Sequence, residues 1–110
     1  MDNEEIKKRI RAANAKANNG RVLRVINILR IQYIKLRDAR SAMPDMKEGE
    51  FQDSINYLAE AEYIEMRHIE TRAPVTTSLA DHDYRELEAK LTKTGIQLLG
   101  GFCSDPLVEV

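Results

Sequence analysis

The side chains best equipped for recognition chemistry in this chain are cations and amides. Lys7, Lys8, Arg9, Arg11, Lys16, Arg21 and Arg24 crowd its beginning. Ammonium and guanidinium groups at this density suit phosphate oxygens, or equally the ordinary solvated face of a helix. Gln52 and Asn56 are four residues apart, so one helix face can present both. Two such amides can each pair with two edge atoms of an adenine. A solvated polar face is the plainer reading, because Asp53 and Glu60 share it. Arg67, Arg72 and Arg85 can touch a nucleic-acid backbone, or pair with Glu65, Glu70 and Glu86.

Groups for covalent or acid-base work are scarce. Cys103 is the single cysteine, which excludes an intrachain disulfide, and no His or Lys flanks it to activate the thiol. His82 sits between Asp81 and Asp83, a triplet that can attract a cation but has the composition of an ordinary loop. His68 falls on the apolar side of an alternating segment and reads as a packing residue. There is no glycine-rich phosphate loop, Walker lysine or His-Glu helix pair. The expectation is therefore a binding protein, not an enzyme, with no catalytic residue, cofactor or metal.

These residues need elements to hold them. At 110 residues, 43% of them apolar and 5% aromatic, the chain suits one domain with an aliphatic core. Ile6, Ile10, Ala13 and Ala17 recur at helical spacing, with Asp2 or Asn3 as cap and Asn18-Asn19-Gly20 as stop, which predicts a basic helix over 1–20. Val22, Val25, Ile26, Leu29, Tyr33 and Leu36 predict a central helix over 21–40. Its β-branched residues weaken it and admit a break near Gln32-Tyr33. Ser41–Pro44 is a turn. Asp45 with Glu48 has capping-box spacing and opens a third helix over 45–62, with Phe51, Ile55, Leu58 and Ala59 inward.

The period then drops to two. Ile64, Met66 and His68 form one strand; Leu87, Ala89 and Leu91 form another; the polar stretch Thr71–Tyr84 links them in a hairpin over 63–91. Thr92 caps a last helix ended by Gly100-Gly101, and the tail to Val110 is apolar enough to pack back, completing 92–110.

This order, mainly α with a small β-hairpin, resembles a winged helix-turn-helix domain. The run Ser54-Ile55-Asn56-Tyr57-Leu58-Ala59-Glu60-Ala61-Glu62-Tyr63-Ile64-Glu65 resembles a recognition helix entering the first wing strand. Lys90-Leu91-Thr92-Lys93-Thr94-Gly95-Ile96-Gln97-Leu98-Leu99 is similar to the strand-to-helix exit of bacterial winged-helix regulators. With Ser104-Asp105-Pro106, the pattern over residues 45–107 is similar to small winged-helix proteins of Mu-like phages and prophages. One departure stands out: the turn after the recognition helix usually carries Gly, and here it is Glu62, at a cost of about 1 kcal/mol if that residue must be left-handed.

Charge is divided along the chain. Residues 1–40 hold eleven of seventeen Lys and Arg and only four of eighteen Asp and Glu, so this part is basic and the rest acidic. Such a split suits a polyanion or acidic partner, or mutual attraction of the two parts within one fold. The resemblance implies a DNA-binding protein of phage or prophage type, acting as a transcriptional regulator. Lys7, Lys8, Arg11, Lys16, Arg21, Arg24, Arg67 and Arg72 would then hold phosphates, and Gln52 and Asn56 read bases. Against it, Glu48, Glu50, Asp53, Glu60 and Glu62 surround a single Lys47 on the third helix. The alternative is a protein-interaction adaptor using that acidic helix without DNA, or a homodimer. No run reaches the roughly 18 apolar residues of a membrane span, the acidic N-terminus does not resemble a secretory signal, and the expected location is the cytoplasm.

Overall fold

The computed structural model describes residues 2–30, 32–75 and 81–110. Helix α1 spans Asn3–Ile26, capped by the Asp2 carboxylate on the Glu5 N–H at 2.8 Å. The stop expected at Asn18-Asn19-Gly20 is absent, and the helix passes through it. Those residues do a different job. Asn19 is buried and its Nδ2 donates to the Leu107 carbonyl at 2.9 Å. A Cβ on Gly20 would lie 1.7 Å from the Glu109 carbonyl oxygen. The glycine thus admits the C-terminal tail against the helix rather than ending it. The Glu109 N–H donates to the Lys16 carbonyl at 3.1 Å, and Arg24 donates to the Glu109 carbonyl at 2.9 Å.

The single central helix expected over 21–40 is also corrected. After Ile26 the chain makes a 3-10 turn at Asn27–Leu29, and Arg30 takes a left-handed φ of 43°. Strand β1, Ile34–Lys35, and the short helix α2, Leu36–Ser41, follow. The β-branched run lowers the helical gain per residue. Pairing Ile34 opposite Ala89 of the sheet puts the same apolar residues to use in extended form.

Helix α3 spans Glu48–Glu60, shorter at both ends than the expected 45–62. The Asp45–Glu48 capping box does not form. Instead Glu50 accepts from the Lys47 N–H at 3.1 Å, and Asp45 receives both guanidinium nitrogens of Arg21 at 2.7 Å. Phe51, Ile55 and Leu58 are fully buried, as their spacing requires. The helix ends with the Tyr63 N–H on the Leu58 carbonyl and the Glu62 N–H on the Ala59 carbonyl. This is a Schellman closure, and its left-handed position is Glu62, at φ 63°.

Strands β2 (Ile64–His68) and β4 (Leu87–Leu91) pair antiparallel from Ile64 opposite Leu91 to His68 opposite Leu87. Within the expected long loop, β3 (Pro74–Val75) returns along the other edge of β2, and a 3-10 turn at Tyr84–Glu86 precedes β4. The polar stretch expected to link the two strands, Thr71–Tyr84, lies partly outside the described residues. The sheet order is β1-β4-β2-β3. Thr92 caps helix α4, Lys93–Leu99, by accepting from the Gly95 N–H at 3.1 Å. The molecule is thus mainly helical with a small four-stranded antiparallel sheet. Its core joins Leu23 and Ile26 of α1, Leu36 of α2, α3, Leu87 and Ala89 of β4, and Leu98 of α4.

Candidate recognition surfaces

Two surfaces carry the residues singled out for binding, and they differ in sign. The first is the outer part of α1. Every residue from Asp2 to Ala17 is exposed, so this segment projects as an arm about 1.5 Å long per residue. The arm accounts for the long dimension of a molecule measuring 50 × 31 × 25 Å. It presents Lys7, Lys8, Arg11 and Lys16 to solvent. Its ion pairs among the described residues are internal: Lys7 with Glu4 at 4.0 Å and Arg9 with Glu5 at 3.1 Å. Among the described residues the outer arm makes no ion pair with the acidic remainder; α1 meets α3 nearer its root, where Asn18 donates to Glu50 at 3.2 Å and Arg21 pairs with Asp45.

Arg21 and Arg24 belong to the root and are engaged there. Asp45 is drawn down to a pKa of about 2 by its hydrogen bonds from Arg21. Arg24 clamps the tail through the Glu109 carbonyl. Arg67 is engaged too. Its guanidinium carbon lies 3.7 Å from the centroid of the Tyr33 ring and its Nη2 lies 3.4 Å from Glu88. Of the arginines on the hairpin, Arg72 remains at the exposed tip, held at φ 60° with its N–H on the His68 carbonyl. The expected partners Glu65 and Glu86 are not those of Arg67 and Arg85. Glu65 pairs with Lys90 at 3.3 Å, and Arg85 bridges Asp83 and Glu48.

The second surface lies between α3 and the β2–β3 hairpin, where a groove of about 500 Å³ opens. Ile64, Met66 and Val75 floor it, Tyr33 and Asn56 stand on its walls, and Glu60, Glu62 and Glu65 line its rim. Of the two amides proposed to read bases, Gln52 is exposed and Asn56 is half-buried beside this groove. Among the described residues no Lys or Arg lines the groove. Sequence patterning missed this combination because its carboxylates come from α3, from the turn and from β2, which only the fold brings together.

A third feature, also missed, anchors the tail. The Tyr57 and Tyr63 hydroxyls both donate to Asp105 Oδ2, at 2.6 and 2.7 Å, and the Leu107 N–H donates to Oδ1 at 2.8 Å. Burial and the adjacent carboxylate push each tyrosine up to about 12. For Asp105, burial acts upward, but the hydrogen bonds from Tyr57, Leu107 and Tyr63 outweigh it and hold the carboxyl below its ordinary range. Two tyrosines from different elements on one aspartate have no local sequence signature.

Among the described residues no three His, Cys, Asp or Glu side chains converge as a metal site, and no helix is long and apolar enough to cross a membrane. His68 and His82 meet edge to face at 5.1 Å, and Cys103 is exposed. No protein-family model, curated protein or solved structure matches the chain.

Proposed function

We propose that the chain is a winged helix-turn-helix protein that works as an adaptor, taking a basic, partly apolar segment of another protein into the groove between α3 and the hairpin. The winged-helix reading is supported by the element order, helix, strand, two helices and hairpin, and by the pairing of β1 with β4 and of β4 with β2. In that architecture α3 stands where a recognition helix does, and β2 with β4 and the segment between them make the wing. The observation that carries the adaptor reading is the acidic rim of Glu60, Glu62 and Glu65 over an apolar floor. Glu65 is paired with Lys90, but Glu60 and Glu62 facing a DNA backbone repel phosphate, whereas they attract Lys and Arg on a segment whose apolar residues fill the floor.

Duplex DNA is the second reading, favoured by the solvated cations Lys7, Lys8, Arg11 and Lys16. It attaches DNA through the arm, with Arg72 at the wing tip. Anisotropy titrations separate the two. A labelled amphipathic peptide rich in Lys and Arg should bind saturably, and Glu60→Lys with Glu65→Lys should weaken it at least about tenfold. Tight binding of random duplex at about 50 mM salt, with sequence preference altered by Gln52→Ala or Asn56→Ala, would overturn the adaptor in favour of DNA.

A further inference from the structure

Among the described residues three positions other than glycine hold a positive φ, Arg30, Glu62 and Arg72, and of these Glu62 alone lines the groove between α3 and the hairpin. Its backbone is held in that conformation from two sides. The Glu62 N–H closes α3 on the Ala59 carbonyl at 3.0 Å. The Glu62 carbonyl accepts from the Thr92 hydroxyl at 2.5 Å, and the Tyr63 carbonyl accepts from the Thr92 N–H at 3.0 Å. A Cβ on Gly95 would lie 2.1 Å from that Tyr63 carbonyl oxygen, so the start of α4 packs hard against the turn. Helix α3, the turn and α4 together impose φ 63° on residue 62.

Glycine adopts such a position most readily, because it has no Cβ. Glutamate is a strained occupant, and no contact within the fold offsets the strain. Among the described residues the Glu62 carboxylate makes no hydrogen bond or ion pair, and the residue is exposed. The neighbouring acids differ. Glu65 pairs with Lys90 at 3.3 Å and accepts from the Tyr33 hydroxyl at 3.5 Å. Glu60 is unpaired too, but it sits in the last turn of α3, where a good helix former carries no strain. Glu62 also has a particular place. It lines both the groove of about 500 Å³ and an adjoining hollow of about 380 Å³ that reaches Thr92, Lys93 and Thr94. A segment lying along the groove and into that hollow must pass its carboxylate.

We infer that Glu62 is the specificity-determining residue of the groove, its carboxylate receiving one Lys or Arg side chain of the segment that binds there. The inference rests on the adaptor reading and adds to it the residue that selects the partner's cation. Glu62 breaks no internal pairing when a cation arrives, unlike Glu65. Its backbone is already fixed, so only its side chain must be ordered on binding. A neutral segment gains nothing from it and an acidic one is repelled, so selection is by sign.

Urea unfolding and anisotropy titration of a labelled amphipathic peptide rich in Lys and Arg, both on the full chain, test this. Glu62→Gly should raise the urea midpoint and yet weaken the peptide about threefold or more. Glu62→Gln keeps a side chain in the left-handed position and removes its charge. It should weaken the peptide as much, with the midpoint nearly unchanged. Asp53→Asn removes an exposed acid of α3 that does not line the groove, and should leave the affinity within about 1.5-fold. The same peptide with Gln for every Lys and Arg should not distinguish the unchanged chain from Glu62→Gly. Equal binding of the cationic peptide to the unchanged chain and both Glu62 variants would overturn the inference and leave the adaptor reading standing. An equal loss from Asp53→Asn would reduce the effect to net charge, and a lower midpoint for Glu62→Gly would remove the strain; either overturns it. A peptide that fails to bind the unchanged chain at all would overturn the adaptor reading, and this inference with it.

Discussion

Replacing Gly20 with Ala sets two effects of opposite sign against each other. Ala in place of Gly inside an exposed helix stabilises by about 1 kcal/mol. Here, however, the new Cβ would fall 1.7 Å from the Glu109 carbonyl oxygen, so the tail must leave. Three hydrogen bonds go with it, from Asn19, Arg24 and the Glu109 N–H, together with burial of Val108, which is 4% exposed. At about 1 kcal/mol per bond and about 2 for the valine, less about 1 for ordering each of four residues, docking is worth about 1–2 kcal/mol. In the intact chain the two effects should nearly cancel, leaving between no change and about 1 kcal/mol of loss. In a chain ended at Pro106 the same substitution should stabilise by about 1 kcal/mol. Urea unfolding of the four proteins, followed by circular dichroism, gives the coupling as a double-mutant cycle. A coupling below about 0.5 kcal/mol would remove the tail from Gly20. Loss of stability in both backgrounds would return Gly20 to a left-handed helix end.

Other measurements probe the remaining parts. Leu58, fully buried in α3, should cost about 2–5 kcal/mol as Leu58→Ala; a loss below about 1 would mean the register of α3 is wrong. Glu62→Gly should stabilise by about 0.5–1 kcal/mol, because Glu62 holds φ 63°; destabilisation would contradict the Schellman closure. Tyr57 and Tyr63, raised to about 12, contribute stability that is whole below their unfolded value near 10 and is lost as pH climbs toward the folded value. Asp105, held low, contributes stability present at neutral pH and lost as pH falls through its folded value. Asp105→Asn should therefore flatten the acid limb and lower the pH at which these tyrosines ionise by ultraviolet absorbance; an unchanged tyrosine titration would sever the link. Reversing Lys7, Lys8 and Arg11 to Glu should abolish any salt-sensitive attraction to duplex DNA, the salt slope falling by about one for each phosphate no longer neutralised; unaltered DNA binding would exclude the arm as its site.

Local signals were legible where one element answers to its own residues. The period-two runs Ile64–His68 and Leu87–Leu91 are strands, Phe51, Ile55 and Leu58 face inward, and Thr92 caps α4. Signals failed where a distant segment decides. Asn19 and Gly20 carry the composition of a helix end, yet their partners lie at Leu107 and Glu109. The apolar run after Val22 fits a helix, but Ile34, with Lys35, forms a sheet edge against β4. Asp45 has cap spacing, and Arg21 takes it first. The cationic segments were visible as composition, but not which cations are engaged: Arg21, Arg24 and Arg67 hold the fold together, while Lys7, Lys8, Arg11 and Lys16 stay in solvent.

That division bears directly on function. If the basic and acidic parts of the chain existed to attract each other, the fold would bring them into contact. It does so at Arg21–Asp45 and Asn18–Glu50, near the root of the arm, while Lys7, Lys8, Arg11 and Lys16 stay exposed. The acids gather on the other side, where Glu60, Glu62 and Glu65 share one groove. Separated patches of opposite sign, each with apolar surface beside it, are surfaces for two different contacts. The apolar floor and acidic rim of the groove are what the proposed basic segment would meet.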